Sequence, residues 1–333
     1  MNRRKFIKTT ALGSAALMAG CSQDTGTSGP SGGEQPDTTP TTFVGLVRTS
    51  NRSVGVIRLM EMMNFESPAD KHVLLKPNFN TSDPPPASTH NDTLSQIILE
   101  LQNRSATDIT LIERCFQPFE EVIRQKNIEA LAETHNFSIV DLNNEQTSLF
   151  IQDGHHWTNG FQFPDIVRDA EYIICTCCLK THFIARHTLA LKLAVGMLPT
   201  SEMAELHSAP TTDLMKMVAE INSAFTPKLY IMDGVRTFID GGPSTGTPAE
   251  GNVMLAGTDP VALDAVGIAI LRDLGSQNFN GPIYLQPQIS RGMQLGLGVQ
   301  NLAEVGFITD DDESREYADR LQRILESDAV YQA

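Results

Sequence analysis

Two lysines and a histidine are the side chains in this sequence best suited to chemistry on a small anion. Lys180 and His182 directly follow an apolar run, and Lys192 lies a short distance further along the chain. Two cations can hold a carboxylate or a phosphate, and an imidazole exchanges protons near neutral pH. We therefore predict Lys180, His182 and Lys192 as catalytic residues. A structural alternative stays open, in which the first two cap a strand end and Lys192 is a solvated helix residue.

A second group of polar residues is predicted to bind the ligand. Lys76 and Asn78 follow another apolar run, and Pro77 between them fixes the backbone φ angle. Asp233 ends a third run, where it can orient a lysine or ligate a metal, although an Asp-Gly pair is also a common turn. The predicted ligand-binding residues are Lys76, Asn78, Asp233, Gly242, Ser244 and Asp264.

The segment 241–246 reads Gly-Gly-Pro-Ser-Thr-Gly and offers the backbone N–H groups and sharp turns of a phosphate-binding loop. It matches neither a P-loop nor the dinucleotide-binding fingerprint, since no Gly-Lys-Ser/Thr ending and no helix directly follow it. Phosphate binding at this loop is therefore the weaker of its two interpretations, and a turn is the stronger.

His182 and His207 are predicted as candidate metal ligands, because borderline cations take imidazole and carboxylate ligands. No two histidines have the i, i+4 spacing that would place both on one helix face. The cofactor is therefore unknown from sequence, with a metal ion as an open alternative.

Four cysteines follow Cys21, the number of ligands that an iron–sulfur cluster takes. On an extended strand Cys175 and Cys177 share a face while Cys178 points the other way, so the three cannot converge. An iron–sulfur cluster is therefore not expected, and small buried apolar residues are the better interpretation. A disulfide from Cys115 to one of the three stays open, because cysteines outside the cytoplasm can be oxidised.

Apolar runs alternate with amphipathic stretches along most of the chain. The predicted strands span residues 42–47, 72–75, 108–112, 137–141, 172–179, 228–233 and 253–256. The predicted helices span residues 53–63, 92–101, 119–135 with an interruption near Asn127, 214–221, 261–274 and 314–326. This order favours right-handed parallel crossovers and an α/β fold, a doubly wound, mostly parallel sheet with helices on both faces. Ligands bind outside the carboxyl ends of such strands, where the polar residues above are found.

Two shorter signals add detail to this arrangement. Asp259 is a natural N-cap and Pro260 a favoured first helical residue, so a helix is predicted to start there. Glu113 and Arg114 follow the third predicted strand, which places two more charged side chains at the same edge of the sheet.

The N-terminal segment resembles a bacterial export signal. Arg3 and Arg4 precede Phe6 as in the twin-arginine consensus, and an uncharged apolar run over residues 9–18 follows. Cys21 closes a segment that resembles a lipobox, with methionine in the usual leucine position. We predict export by the twin-arginine machinery and a lipid anchor at Cys21, which would hold the protein at the cell envelope, facing the periplasm or the exterior.

These signals predict three parts: a twin-arginine signal peptide over 1–20, a lipidated flexible tether over 21–42 and a single α/β domain over 43–333. The tether is rich in Ser, Thr, Gly, Pro and Gln and has too few apolar side chains to repay its ordering entropy. No run after Cys21 reaches 18 consecutive apolar residues, so the predicted domain meets the membrane only through its lipid.

The charge balance excludes one class of partner. The chain has a net charge of −15, and loss of residues 1–20 would remove four basic side chains and no acidic one. Such an acidic surface repels phosphate backbones, so nucleic-acid binding is not expected.

Several of these segments together resemble the domain of unknown function family 362. They are Leu75 to Phe79, Leu179 to His182, Thr188 to Gly196, Asp233-Gly234, Gly242 to Gly246 and Asp259 to Asp264. The resemblance runs from about residue 43 to residue 305 and implies no settled activity. In that family the segment at 190–193 usually reads Ala-Leu-Lys-Asn, whereas this chain has Leu193 in the asparagine position.

Three functional hypotheses follow from the sequence. The first is a membrane-tethered enzyme that acts on a small anionic ligand in a pocket of lysine, histidine and aspartate side chains. The second is a solute-binding or accessory lipoprotein that binds the same ligand without catalysis. The third and weakest is a metal or iron–sulfur cofactor protein, because folded export often serves proteins that receive a cofactor first.

Overall fold

The computed structural model describes residues 39–329. The predicted signal peptide over 1–20 and the predicted lipidation site Cys21 lie outside the described residues. Within the described range the strands are β1 (Thr42–Arg48), β2 (His72–Lys76), β3 (Asp108–Glu113), β4 (Ser138–Asp141), β5 (Thr147–Phe150), β6 (Phe161–Pro164), β7 (Tyr172–Cys178), β8 (Lys180–His182), β9 (Arg186–Thr188), β10 (Leu229–Gly241), β11 (Gly246–Gly257) and β12 (Val305–Ile308).

Helices follow most of these strands. They are α1 (Arg52–Met62), α2 (Asn91–Asn103), α3 (Phe119–Gln125), α4 (Ile128–His135), α5 (Asp165–Arg168), α6 (Ala190–Leu193), α7 (Met203–Ser208), α8 (Thr211–Ile221), α9 (Pro260–Asp273), α10 (Pro287–Gln294) and α11 (Asp312–Ala329). Between residues 39 and 329 no helix is both long and apolar enough to cross a bilayer.

The central sheet has the strand order β12-β1-β11-β10-β7-β2-β3-β4. Every neighbouring pair in it is parallel except the two that involve β11, which runs antiparallel to β1 and to β10. The predicted α/β fold with a mostly parallel sheet is therefore confirmed. Because the parallel strands point the same way, their carboxyl ends meet at one edge.

Two apolar layers cover the two faces of this sheet. Successive residues of β2 show the alternation, because Leu74 packs into one layer and Leu75 into the other. The first layer also contains side chains of α6, α8, α9, α10 and α11, and the second contains side chains of α1 to α4. The sheet is thus enclosed by helices on both sides, as a doubly wound arrangement requires.

Local signals placed two boundaries correctly. Asn127 adopts a left-handed conformation with φ of 57° and separates α3 from α4, as predicted. Asp259 caps α9 by accepting the backbone N–H groups of Val261 and Ala262, and Pro260 is the first residue of that helix.

The long β10–β11 hairpin is the main departure from the predicted elements. Strands expected to end at residue 233 and to begin at 253 extend to Gly241 and from Gly246, and they pair antiparallel along most of this length. The glycine-rich segment between them closes the hairpin, with the Gly242 N–H donating to the Thr245 carbonyl at 2.7 Å. The glycine-rich segment therefore forms the turn of this hairpin.

Removal of the Asp259 carboxylate tests how strongly one cap stabilises the fold. The substitution Asp259→Ala leaves the N–H groups of Val261, Ala262 and Val299 without this acceptor. We expect the free energy of unfolding in urea to fall by about 2 kcal/mol, the upper end of the effect of a cap. The control Asn51→Ala removes one cap bond, to Val54 of α1, and should cost about 1 kcal/mol. Equal losses would contradict this ranking.

Candidate functional site

A cavity of about 300 Å³ lies at the carboxyl ends of three neighbouring strands. Asn78 comes just after β2, Glu113 ends β3, and Lys180 follows β7. The parallel register of these strands carries the three side chains to one edge of the sheet. The segment from Lys192 to Gly196 forms another part of the wall.

Lys180 is buried and joins two loops at the cavity. Its Nζ donates to the carbonyl oxygens of Ala87 and Pro243, the latter at 3.0 Å. Burial lowers the pKa of Lys180 to about 8. This ammonium therefore stays mostly charged at neutral pH while it holds the loop after β2 against the turn between β10 and β11.

Lys192 lines the same cavity but has a different environment. Among residues 39–329, no hydrogen-bond or ion-pair partner contacts its Nζ. Burial, together with the nearby charges of Lys180 and Arg114, lowers the pKa of Lys192 to about 7. About half of these amines are therefore uncharged at neutral pH.

Asp264 fixes the short helix that carries Lys192. Its buried carboxylate accepts the backbone N–H of Ala190 at 2.7 Å and that of Leu191 at 3.3 Å. His187 lies behind it, with 3.7 Å between Nε2 and the carboxylate. Asp264, predicted to bind the ligand, is absent from the cavity wall that the described residues form and positions α6 instead.

His182 lines the cavity with its ring held in one tautomer. Nδ1 accepts the backbone N–H groups of Ile184 at 3.1 Å and Ala185 at 3.2 Å, so the ring proton resides on Nε2. Burial, together with the charge of Lys192, lowers the pKa of His182 to about 2. The expected proton exchange near neutrality therefore does not fit His182, which remains neutral. Lys192 is the group that changes charge in this range.

Lys76 and Glu113 form a buried ion pair beneath the cavity. Lys76 Nζ lies 2.5 Å from Glu113 Oε1, and both side chains are only 1% exposed. Glu113 also accepts the backbone N–H groups of Phe79 at 2.7 Å and Arg114 at 3.0 Å. Lys76, predicted to bind the ligand, is thus neutralised by Glu113 and supports the wall.

Gly196 closes tightly over this ion pair. A Cβ atom at this position would lie 2.6 Å from Glu113 Oε1 and 2.8 Å from Lys76 Nζ. Its carbonyl oxygen accepts the backbone N–H of Arg114 at 3.0 Å. Only glycine allows the segment after α6 to approach this closely.

Arg114 supplies a third cation to the cavity wall. Its guanidinium donates to the carbonyl oxygens of Leu198 at 3.1 Å and Val195 at 2.8 Å. Desolvation lowers the pKa of Arg114, which remains an arginine and hence charged. The sequence placed this residue after a strand without assigning it to the ligand.

Two polar atoms in the wall lack a partner within the described residues. They are Oδ1 of Asn78 and Oγ1 of Thr188, both buried from solvent. Buried polar atoms are nearly always hydrogen-bonded, so unsatisfied ones point to a ligand or ordered water. Asn78 therefore lies where the sequence predicted a ligand-binding residue.

The rim of the cavity contains the remaining predicted residues. Ser244 and the exposed His207 both line it. Gly242 lies beside them with φ of 74°, and a Cβ there would collide with the Thr181 carbonyl. Gly242 is therefore required by the backbone path of the hairpin turn. Leu193, in the position for which the family resemblance implied asparagine, gives the wall an apolar patch.

Asp233 lies away from this cavity. Its carboxylate accepts from Arg52 Nε at 2.7 Å and from Thr93 Oγ1 at 2.9 Å. Asp233 is on the same side of β10 as Ile231, which packs into the layer of α1 to α4. Lys76 is on the same side of β2 as Leu74, which packs into the other layer. The alternation of side chains along a strand thus places Asp233 and Lys76 on opposite faces of the sheet.

The four cysteines between residues 39 and 329 are free and buried. Cys175 and Cys177 pack into one apolar layer and Cys115 into the other, as the alternation of β7 predicted for the first two. Burial raises the pKa of Cys175 to about 12 and that of Cys178 to about 11. Such thiols are protonated and resemble small apolar side chains.

Within the described part of the chain, the predicted pair His182 and His207 is not part of a cluster that could hold a metal ion. Between residues 39 and 329 no group of three or more His, Cys, Asp or Glu side chains is arranged to hold a metal ion. His182 and His207 line a cavity whose cationic side chains are Lys180, Lys192 and Arg114. We assign no metal to this pair.

The cavity lies within a region of the chain that matches a known protein family. The sequence profile of DUF362, a domain of unknown function, matches residues 73–269. The chain belongs to the DUF362 family. The match confirms the resemblance noted in the sequence. Its range covers all the residues that line the cavity, from Asn78 to Ser244.

Two individual proteins are similar to this DUF362 chain. The thylakoid-associated protein sll1697 of Synechocystis is 26% identical over 216 residues, which cover 63% of this chain and 66% of that protein, slightly less than two thirds. The structure of the lactate racemase apoprotein from Thermoanaerobacterium thermosaccharolyticum is 12% identical, with a TM-score of 0.41, and covers 86% of this chain and 88% of that one.

The buried ion pair provides a test of how the cavity is supported. Lys76→Met leaves the Glu113 carboxylate buried without its cation, so the free energy of unfolding should fall by about 3–5 kcal/mol. The double variant Lys76→Met/Glu113→Leu removes both charges and should recover most of this loss. Urea denaturation of both variants measures the difference. A double variant no more stable than Lys76→Met would contradict the pairing.

Proposed function

We propose that this protein is an enzyme that binds a small organic anion in the cavity, with Lys192 as the group that exchanges a proton. The observation that carries this proposal is the unpartnered Nζ of Lys192 in a cavity that Lys180 and Arg114 also line. Although the chain has a net charge of −15, these three cationic side chains all line one cavity. Such a local field concentrates anions.

The carboxylate or phosphate of the ligand would contact Lys192, Lys180 and Arg114. The Nε2–H of His182 adds a neutral donor, and the unsatisfied Oδ1 of Asn78 and Oγ1 of Thr188 can accept from hydroxyl groups of the ligand. A cavity of about 300 Å³ corresponds to the lower end of small-molecule sites. The ligand class is therefore a small, polar anion.

Catalysis is favoured over simple solute binding by the state of Lys192. A site that only holds an anion is best served by a permanently charged group such as arginine. An amine whose pKa is near 7 can both accept and release a proton at neutral pH. An experiment must distinguish this enzyme from a protein that binds the same anion without turnover.

We also propose export by the twin-arginine machinery and a lipid anchor at Cys21. Arg3, Arg4 and the segment before Cys21 support this proposal. The Synechocystis relative is named as thylakoid-associated, which agrees with attachment to a membrane. The cell envelope is the proposed location, with the domain facing the periplasm or the exterior.

Anion affinity should depend on pH with a defined sign. Lys192 and Lys180 are cationic below their pKa values of about 7 and about 8, so affinity for lactate, whose own charge is constant in this range, should fall as the pH rises from about 6 to about 9. We expect a loss of about tenfold or more, because a hydrogen bond to a charged group contributes about 1.5–3 kcal/mol. Isothermal titration calorimetry of the full chain measures it.

Three variants separate the groups that face the ligand. Lys192→Arg keeps a permanent cation, so it should retain affinity and lose the part of the pH dependence near pH 7, leaving the part near pH 8 that Lys180 contributes. Lys192→Met should bind about tenfold more weakly at the lower pH. His207→Ala at the rim is the control for a histidine as the source of the pH dependence. Two other titratable groups at the cavity are accounted for, because the ring of His182 stays neutral and Glu113 stays paired with Lys76. A pH profile that disappears in His207→Ala and persists unchanged in Lys192→Arg would contradict the assignment.

The envelope location has its own test in a bacterial host. Cys21→Ala should abolish incorporation of radiolabelled palmitate, because no acylated residue remains. Changing Arg3 and Arg4 together to lysine should leave the uncleaved precursor inside the cell. Cys115→Ala, at a buried cysteine, is the control and should be labelled as the original chain is. Palmitate incorporation that survives Cys21→Ala would exclude the lipid anchor at Cys21.

A further inference from the structure

We propose that Lys192 forms an imine with its ligand, and that the ligand is a small anion that also bears an aldehyde or ketone group, such as a 2-oxo acid. This inference rests on the proposed function, because it requires an anion in the same cavity. It adds two points to that function: the class of substrate and a covalent role for one amine.

The contacts of Lys192 differ from those of the buried lysines Lys76, Lys126 and Lys180. Lys76 pairs with Glu113, Lys126 donates to Ser88 Oγ at 2.7 Å, and Lys180 donates to two carbonyl oxygens. Each of these three amines is held by acceptors that favour the protonated form. Among residues 39–329, Nζ of Lys192 has no such acceptor, although Lys192 is one of the residues that line the cavity. Its lone pair is therefore the one available to an electrophile.

Electrostatics in the cavity support the same choice. The charges of Lys180 and Arg114 disfavour a third cation nearby and add to the effect of desolvation on Lys192. Desolvation and a neighbouring cation are the two ways in which proteins activate a lysine toward carbonyl compounds. The two charged neighbours remain free to attract the carboxylate of the same ligand.

The surroundings of Lys192 suit the two ends of a 2-oxo acid. Lys180 and Arg114 can face its carboxylate, while the Nε2–H of His182 is a neutral donor for the carbonyl oxygen. Leu193 next to Lys192 presents an apolar surface to a short carbon chain. These groups lie in one cavity with the amine, which a reaction at the carbonyl carbon requires.

The step is balanced without a further reactant. The lone pair of the Lys192 nitrogen forms a bond to the carbonyl carbon, and the carbon–oxygen π bond opens toward oxygen. The two protons of the amine then transfer to this oxygen, the carbon–oxygen bond breaks, and one water molecule leaves as the carbon–nitrogen double bond forms. Nothing is oxidised or reduced in this exchange of a carbonyl for an imine.

Reductive trapping tests this proposal on the full chain. Glyoxylate, a small anion with an aldehyde group, is added at neutral pH with sodium borohydride, and peptide mass mapping locates the lysine that gains a carboxymethyl group. We expect Lys192 to be labelled on the order of 100-fold faster than the surface residue Lys216. Ordinary lysines have well under one amine in a hundred uncharged at this pH, and Lys192 has about half. Equal labelling, or preferential labelling of Lys180, would overturn the proposal.

Two variants and a second probe complete the design. Lys192→Arg and Lys192→Met should both lose the fast labelling while circular dichroism shows that they are folded, and Lys216→Arg should keep it. Acetate and lactate, which have no carbonyl carbon open to an amine, report on anion binding alone by calorimetry. If they bind and no adduct forms at Lys192, the imine is wrong and the anion site stands. If neither they nor glyoxylate bind, the proposed function itself fails.

Discussion

The ion pair between Lys76 and Glu113 is the interaction on which the candidate site depends. It connects the ends of β2 and β3, and Glu113 additionally holds the backbone of Phe79 and Arg114. Gly196 packs directly onto the pair, which brings the segment after α6 against the sheet edge. Because charges buried at this depth must be matched, the pair specifies how closely these three segments approach one another.

The remaining cations acquire their roles from what surrounds them. Lys180 and Arg114 donate to backbone carbonyl oxygens and so hold loops in place while keeping their charge. Lys192 is presented by a single helical turn whose N–H groups are held by Asp264, and its amine is left without an acceptor. The buried carboxylate of Asp264 thus positions Lys192, the group to which we assign the chemistry, although Asp264 does not itself line the cavity.

Much of the fold could be predicted because its central strands are locally encoded. The apolar runs of β2, β3 and β7 and the helix start at Asp259 depend on neighbours in sequence, and the structure places them within a few residues of the prediction. The second half of β10 and the first half of β11 are exposed in part and poor in apolar runs. They are strands because each pairs with the other, which a local pattern does not indicate.

The sequence by itself determined the family, the α/β class and the sheet edge at which the polar residues collect, since these depend on residue type and order along the chain. Only the tertiary structure decided which of those residues meet. Side-chain alternation turned Asp233 toward Arg52 and away from Lys76. Burial and hydrogen-bond partners kept His182 neutral and left Lys192 to titrate near neutrality, because desolvation and nearby charge are properties of the packed site.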